Sequence, residues 1–185
     1  MSRPARSFLL SPLIGALLAL ACTAQAGDDS ALQFPRIRKQ FDQRSNVIWY
    51  IPESAPAVVD TPAFYVYFGR GDAGKLTALR LKVVYRGKLA LGIRRYWAVA
   101  DGKPLRSFPN AKWHVEQVLN VWEWIDEPIP APVQLHDLAT LAHAKVAVMH
   151  FEGSGGKYQM TLSAEQKQAI KDVIKAYGAS GGSLG

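Results

Sequence analysis

The stretch Leu76–Phe108 reads LTALRLKVVYRGKLALGIRRYWAVADGKPLRSF, and it decides the fold. Apolar and polar residues alternate over Leu79–Tyr85 and again over Leu89–Val99, the period-two pattern of a strand with one buried face. Arg86-Gly87-Lys88 is a turn signal, and Asp101-Gly102 is the dipeptide preferred in two-residue hairpin loops. We therefore expect three antiparallel strands joined as a meander, with further strands and helices around them.

Residues 1–26 have the pattern of a signal peptide. Arg3 and Arg6 give a positive start, and Leu9–Ala21 is a mostly apolar run that is too short for a comfortable membrane span. Ala24-Gln25-Ala26 supplies the small residues that signal peptidase recognises, which predicts cleavage between Ala26 and Gly27. The expected location is the periplasm or the exterior of a bacterial cell.

Cys22 suggests an alternative location for the protein. Ala19-Leu20-Ala21-Cys22 is similar to a lipobox, in which lipid is attached to the cysteine and the protein becomes a membrane-anchored lipoprotein. Lipoboxes prefer Leu three residues before the cysteine and a small residue two before, whereas this chain has Ala19 and Leu20. Cleavage after Ala26 therefore fits better.

The mature chain that this cleavage leaves contains no cysteine, because Cys22 is the one cysteine of the sequence. Disulfides, thiol catalysis and cysteine metal sites are excluded for it. Arg3 and Arg6 are two of the 22 Lys and Arg, so 20 remain against 15 Asp and Glu, a net charge of +5. The basic residues form no run, which argues against a nucleic-acid surface. No later segment is apolar and long enough to span a membrane.

Several further segments have strand patterns. They are Asn46–Ile51, Ala63–Phe68, Gln117–Asp126, Lys145–Phe151 and Lys157–Leu162. Ala63–Phe68 is apolar or aromatic at every position, so we expect a central strand covered on both faces.

Two segments have helical spacing: a short one over 133–144 and a C-terminal one over 163–177. Ser163 and Gln166 fit a capping box at the start of the second. One apolar stripe follows it, formed by Ile170, Val173, Ile174 and Tyr177. The chain is therefore predicted to be a mainly β, α+β protein: an antiparallel, sandwich-like single domain over 27–178 with a flexible tail over 179–185.

Gly69–Lys75 contains GxxxxGK, GxGxxG and Arg-Gly-Asp. A phosphate loop needs Ser or Thr after the Lys, where this chain has Leu76, and it must open a helix. The residues that follow have a strand pattern instead. We interpret the segment as a glycine-rich turn between strands.

The histidines do not suggest a metal centre. His136 and His143 fall on one face of the first predicted helix, but seven residues place them about 10 Å apart. That separation is too large for one zinc ion without other ligands. We expect structural or solvated histidines and no cofactor.

Two charged residues lie on faces that are otherwise apolar. Glu123 shares the face of Val121 and Ile125, and Arg95 interrupts the apolar face of its own strand. A charge on a core face must be paired or must reach water. Either Arg95 pairs with Glu123, or a bulge at Arg94-Arg95 turns both arginines into solvent, and we favour the bulge.

Trp122 and Trp124 point to the opposite side from Glu123. Two aromatic rings at this spacing suit sugar rings or an apolar partner, and they equally suit a core beneath the C-terminal helix. We favour core packing.

The chain resembles small bacterial exported β-rich proteins, periplasmic or lipoprotein-like, a group without assigned chemistry. The segments that carry the resemblance are Val121–Trp124, Val146–Gly153, Thr161–Ser163, Gln166 and Ile170–Tyr177. The pattern is aromatic and structural, so it implies a fold and no mechanism.

We therefore expect an exported cell-envelope protein that is a non-enzymatic binding or accessory module. Its partner would be an envelope protein or a glycan, contacted through Trp122, Trp124, Glu123 and Arg95. An inhibitor or immunity-type protein is a related alternative.

An extracytoplasmic hydrolase that acts on envelope polymer is the alternative from a different class. It would use Glu123 with Asp126 or Glu152 as paired carboxylates. Such a pair needs a cleft that holds the two groups about 5–10 Å apart.

Overall fold

A computed structural model describes residues 33–57, 61–105, 111–117, 120–129 and 132–184. Cys22, Ala26 and Gly27 lie outside these residues, so lipidation and cleavage remain predictions. In chain order the elements are β1 (Ile37–Asp42), β2 (Val47–Pro52), β3 (Ala63–Arg70), β4 (Arg80–Gly87), β5 (Ile93–Ala100), β6 (Lys103–Pro104), β7 (His114–Gln117), β8 (Val121–Pro128), α1 (Pro132–His143), β9 (Ala147–Gly153), β10 (Gly156–Thr161) and α2 (Ala164–Ala179).

The strands form two antiparallel sheets. The larger has six strands in the order β1-β2-β3-β4-β8-β7, and the smaller has four in the order β10-β9-β5-β6. α1 contacts β5 and α2, and α2 contacts β2 and β3. The predicted fold class is confirmed: a mainly β, sandwich-like domain with a helix near 133–144 and a C-terminal helix.

The predicted meander is wrong in its pairing, because β4 and β5 lie in different sheets. β4 pairs with β3 and β8, whereas β5 pairs with β6 and β9. The chain therefore crosses between the layers after Gly87 instead of making a hairpin there. An alternating pattern shows that a strand has one buried face, but it does not say which strand lies beside it.

The hairpin between β5 and β6 is confirmed. Asp101 and Gly102 both have positive φ, 49° and 78°, the backbone that a tight two-residue turn requires. The Asp101 carboxylate also accepts hydrogen bonds from the backbone N–H groups of Lys145 and Val146, at 3.2 and 2.8 Å. These bonds hold the pKa of Asp101 below its usual value and fasten the turn to the start of β9.

One core joins both sheets and both helices. Its fully buried members include Phe64, Val66, Phe68, Leu81 and Ile125 from the larger sheet, Ala98, Met149 and Phe151 from the smaller, and Leu138, Leu141, Ile170 and Val173 from the helices. The faces of the two sheets that contribute these residues are called inner below, and the opposite faces outer.

The start of α2 is a capping box, as predicted. The Ser163 hydroxyl oxygen accepts from the N–H of Gln166 at 3.1 Å, and the Gln166 side-chain oxygen accepts from the N–H of Ser163 at 2.9 Å. Ile170 and Val173 are fully buried, while Ile174 and Tyr177 pack at the margin of the core. The helix continues through Gly178 to Ala179, so residue 179 belongs to the helix and not to the predicted tail.

The structure differs from the prediction in one additional strand and in one segment that is divided between two strands. β1 was not expected, because most of its residues are polar and it forms the exposed edge of the larger sheet. Gln117–Asp126 is not one strand: Gln117 ends β7, and β8 begins at Val121.

The glycine-rich turn is confirmed. Within Gly69–Lys75 the chain makes a short 3-10 turn at Asp72–Gly74. The turn is fixed by a hydrogen bond from the Asn46 amide to the Asp72 carboxylate and by one from Arg70 Nε to the Gly74 carbonyl. No helix begins at Lys75, so the geometry of a phosphate loop is not present.

Candidate binding surface

β8 presents two different faces. Val121, Glu123 and Ile125 are buried on the inner face, whereas Trp122 and Trp124 are partly buried on the outer face. The expectation that the two tryptophans belong to the core is therefore wrong. Strand alternation indicated that they share a face, but which face is inner depends on where the smaller sheet packs.

Glu123 is buried completely and joins the two sheets. Its carboxylate accepts hydrogen bonds from three successive backbone N–H groups at the entry to β5, those of Leu91, Gly92 and Ile93, the last two at 2.8 and 2.7 Å. A buried carboxylate must have its lone pairs satisfied, and backbone donors satisfy them here. Glu123 therefore stabilises the fold by linking the two sheets, and its buried carboxylate does not face a ligand.

Arg95 lies on the smaller sheet and does not pair with Glu123. The pairing of β5 with β9 shifts register between Ile93 and Arg95, so the expected bulge is confirmed, and both Arg94 and Arg95 are exposed. Arg95 donates to Glu152 at 2.6 Å and stacks over Trp97 at 4.7 Å.

A row of aromatic and charged side chains crosses the outer face of the larger sheet. Its members come from five neighbouring strands: Trp49 (β2), Tyr65 and Tyr67 (β3), Arg80 and Lys82 (β4), Trp122, Trp124 and Asp126 (β8), and His114 (β7). We call these nine residues the aromatic face. Both helices and the smaller sheet pack on the inner side, so no described element covers it.

Trp124 stands between two cationic or polar neighbours. The His114 ring is stacked on it at 4.2 Å, and the Lys82 ammonium lies 3.8 Å from its ring centre. The two groups reach Trp124 from the strands that flank β8, and a cation over an indole ring is attracted by the ring's quadrupole. Both sides of the Trp124 ring are thus occupied by the protein itself.

Trp49 is held differently. Two carbons of its six-membered ring lie 2.8 Å from the position that a Cβ on Gly69 would take, so only glycine allows the ring to rest there. Tyr67 contacts the ring at 5.4 Å, and Tyr65 contacts Tyr67 at 5.9 Å. The result is a partly exposed cluster of three aromatic rings at one end of the aromatic face.

A polar network occupies the middle of the aromatic face. The Tyr67 hydroxyl donates to the Asp126 carboxylate at 2.6 Å, and Arg80 Nε donates to the same carboxylate at 2.9 Å. Lys82 reaches it at 3.4 Å. Burial, together with the hydrogen bond and charge of Asp126, raises the pKa of Tyr67. Asp126 is therefore neutralised by two cations.

The three carboxylates of the hydrolase hypothesis are not brought together. Glu123 is on the inner face, Asp126 is on the outer face of the same sheet, and Glu152 is on the smaller sheet, where it pairs with Arg95 and Lys157. Within the described part of the chain these three carboxylates lie on separate faces and do not form a pair.

The histidines are dispersed. His136 and His143 are exposed on α1, and the Nδ1 atom of His143 bonds with the Ala139 carbonyl at 2.8 Å. The other two stack on tryptophans, His114 on Trp124 and His150 on Trp97. In the described ranges, no group of three or more His, Cys, Asp or Glu side chains could hold a metal ion.

Sequence reasoning missed Trp49, Tyr65, Tyr67 and Lys82 as members of the surface. β3 was expected to be covered on both faces, but Tyr65 and Tyr67 are partly exposed on the outer face. A signal was present: Tyr65 and Tyr67 alternate with Phe64 and Val66, so every hydroxyl of the strand lies on one side.

Comparison of the chain with protein-family models, with curated proteins and with solved structures finds no significant match. Among the described residues, no helix is both long enough and apolar enough to cross a membrane.

Proposed function

We propose that the protein is exported to the bacterial cell envelope and is a non-enzymatic binding or accessory module that contacts its ligand through the aromatic face. The observation that carries the proposal is the row of five Trp and Tyr rings left on an outer sheet face that no described element covers. All five rings are partly exposed, and a cluster of large aromatic groups that keeps contact with solvent is typical of an interaction site.

The composition of the aromatic face supports a binding role. Trp, Tyr and Arg are the residues most enriched where binding energy is concentrated. Arg80, Lys82 and Asp126 fix one another, and Trp124 is held between Lys82 and His114. Side chains ordered before binding lose less conformational entropy when a ligand arrives.

The hydrolase alternative has less support. Its best acid, Glu123, is fully buried and accepts three backbone hydrogen bonds, so it does not meet a substrate. An inhibitor or immunity-type protein would also use an exposed aromatic surface, and it is a special case of the binding role in which the partner is a protein.

Export is tested by the mass of the protein recovered outside the cytoplasm. We expect an unlipidated chain that begins at Gly27, because Ala24-Gln25-Ala26 supplies the cleavage site. Intact-mass spectrometry distinguishes this product from a diacylated chain that begins at Cys22. The diacylated product would overturn release and make the protein a membrane-anchored lipoprotein.

The binding role is tested by co-sedimentation of the processed protein with an envelope fraction. Trp49→Ala and Trp124→Ala together should weaken co-sedimentation by about tenfold or more, since each truncation of a central binding side chain commonly costs over 1 kcal/mol. Trp97→Ala is the matched control, because Trp97 also stacks on a histidine and beside an arginine but lies on the smaller sheet. Equal binding by the double variant and the wild type would contradict the proposal.

A further inference from the structure

The aromatic face has the dimensions of an extended ligand. From β2 to β7 it crosses four strand spacings, about 19 Å, and from Trp122 to Asp126 it is about 13 Å long, an area of about 250 Å². A stable protein partner usually covers about 800 Å² on each side. The patch alone is therefore smaller than the surface that a folded partner usually covers, while its length of about 19 Å suits a short segment of a linear polymer.

The two ends of the aromatic face offer different contacts. At the Trp49 end, partly exposed rings rest on Gly69 and Tyr67. The C–H-rich face of a sugar ring is apolar and matches the electron-rich face of such an aromatic ring. At the Trp124 end the ring is already occupied by Lys82 and His114, so stacking of a second sugar there is not available.

The charge of the aromatic face selects the kind of polymer. Arg80 and Lys82 stand against one carboxylate, Asp126, in the middle of the row. At the margins Arg86 and Glu116 flank Trp122 with opposite charges, and the Asp42 carboxylate accepts a hydrogen bond from Trp49. The excess of positive charge is therefore confined to the middle of the row. Asp126 is engaged by both cations and by the Tyr67 hydroxyl, so it offers little repulsion to an incoming anion. The processed chain carries a net charge of +5, which also attracts anions and disfavours face-to-face pairing of two copies.

We propose that the aromatic face binds a linear acidic glycan, with a sugar ring stacked at Trp49 and an acidic group of the polymer facing Arg80 and Lys82. This inference rests on the proposed function and deepens it by stating the class of ligand. Aromatic stacking supplies the contact with the sugar backbone, and the excess positive charge discriminates acidic from neutral polymers.

The test uses polygalacturonate and the same polymer with its carboxylates methyl-esterified, which keeps the sugar backbone, removes the negative charge and adds one methyl group per residue. The processed wild-type protein is titrated with each in 50 mM and in 500 mM salt. We expect binding to polygalacturonate about tenfold or more tighter than to the ester, with the preference reduced at high salt, where the Debye length is only a few ångströms.

Variants locate the contacts. Trp49→Ala should weaken binding of both polymers, whereas Lys82→Met should weaken binding of the acidic polymer alone. Trp97→Ala on the smaller sheet should bind like the wild type. Each variant is first shown to retain its cooperative melting transition, and Trp49→Phe, which keeps a ring over Gly69, should retain most of the binding if the Ala variant unfolds.

Three outcomes would overturn the inference. The first is equal affinity for the acidic and esterified polymers, and the second is a loss of affinity in Trp97→Ala as large as in Trp49→Ala. The third is no binding of either polymer while co-sedimentation with the envelope fraction still depends on Trp49 and Trp124. In the third case the proposed function stands and the glycan assignment fails, and loss of co-sedimentation after protease treatment of the envelope would assign the ligand to a protein.

Discussion

Alternate residues of β8 have different roles, depending on which face of the strand they occupy. On the inner face Glu123 is fully buried, and its carboxylate oxygens accept hydrogen bonds from three backbone N–H groups at the entry to β5. On the outer face Trp124 is partly exposed and held by Lys82 and His114. A charged residue is thus structural and an apolar one belongs to the surface, because burial is decided by what packs on each face and not by residue type alone.

Glu123→Gln on the inner face is expected to cause one of the two largest losses of stability. The amide keeps one accepting oxygen but places an NH₂ group against a backbone N–H, so at least one donor among Leu91, Gly92 and Ile93 loses its partner. We expect a loss of about 2–4 kcal/mol in the free energy of unfolding, measured by urea denaturation.

Glu116→Gln on β7 is the control for that measurement. Glu116 is an exposed carboxylate on the neighbouring strand, and its change should be within about 0.5 kcal/mol. Equal stability of Glu123→Gln and the control would show that Glu123 does not join the sheets as described.

The contrast between the faces is tested next by comparing Ile125→Ala with Trp124→Ala. Ile125 is fully buried, and its truncation should cost about 2–5 kcal/mol. Trp124 loses only partial burial and its contact with Lys82, so we expect about 1–2 kcal/mol. If Trp124→Ala lowered the free energy of unfolding more than Ile125→Ala does, the tryptophan would belong to the core and the proposed binding surface would be wrong.

The smallest effect concerns alkaline pH and Tyr67. Because the folded protein raises the pKa of Tyr67, its contribution to stability is complete below the unfolded value of about 10 and is lost as pH rises above it. Tyr67→Phe should be about 1 kcal/mol less stable at pH 8, since the hydrogen bond to Asp126 is missing.

The difference in stability between the wild type and Tyr67→Phe should become smaller between pH 10 and pH 11, and thermal melts at each pH measure it. Tyr96, which burial also gives a raised pKa, is present in both proteins and does not affect the comparison. A constant difference across this range would mean that the Tyr67 hydroxyl is not held against Asp126.

Local signals in the sequence were sufficient for several elements. The Ser163–Gln166 capping box and the apolar stripe after it located α2, since both depend on residues within a few turns of one another. The Asp101-Gly102 turn located the hairpin of β5 and β6 for the same reason. The Arg94-Arg95 bulge followed from the cost of burying a charge.

The sequence did not determine which strands pair or which face of β8 is inner, and the candidate surface depends on both. Alternation separates Glu123 from Trp122 and Trp124, but it is symmetric between the two sides of a strand. Only the crossing of the chain between β4 and β5 brings Leu91, Gly92 and Ile93 over Glu123. That crossing makes the side of Glu123 the inner one and leaves the tryptophans outside with Trp49 and Tyr67, residues more than fifty positions away in the chain. Contacts at such separations arise from the packing of whole layers, so only the tertiary structure decided them.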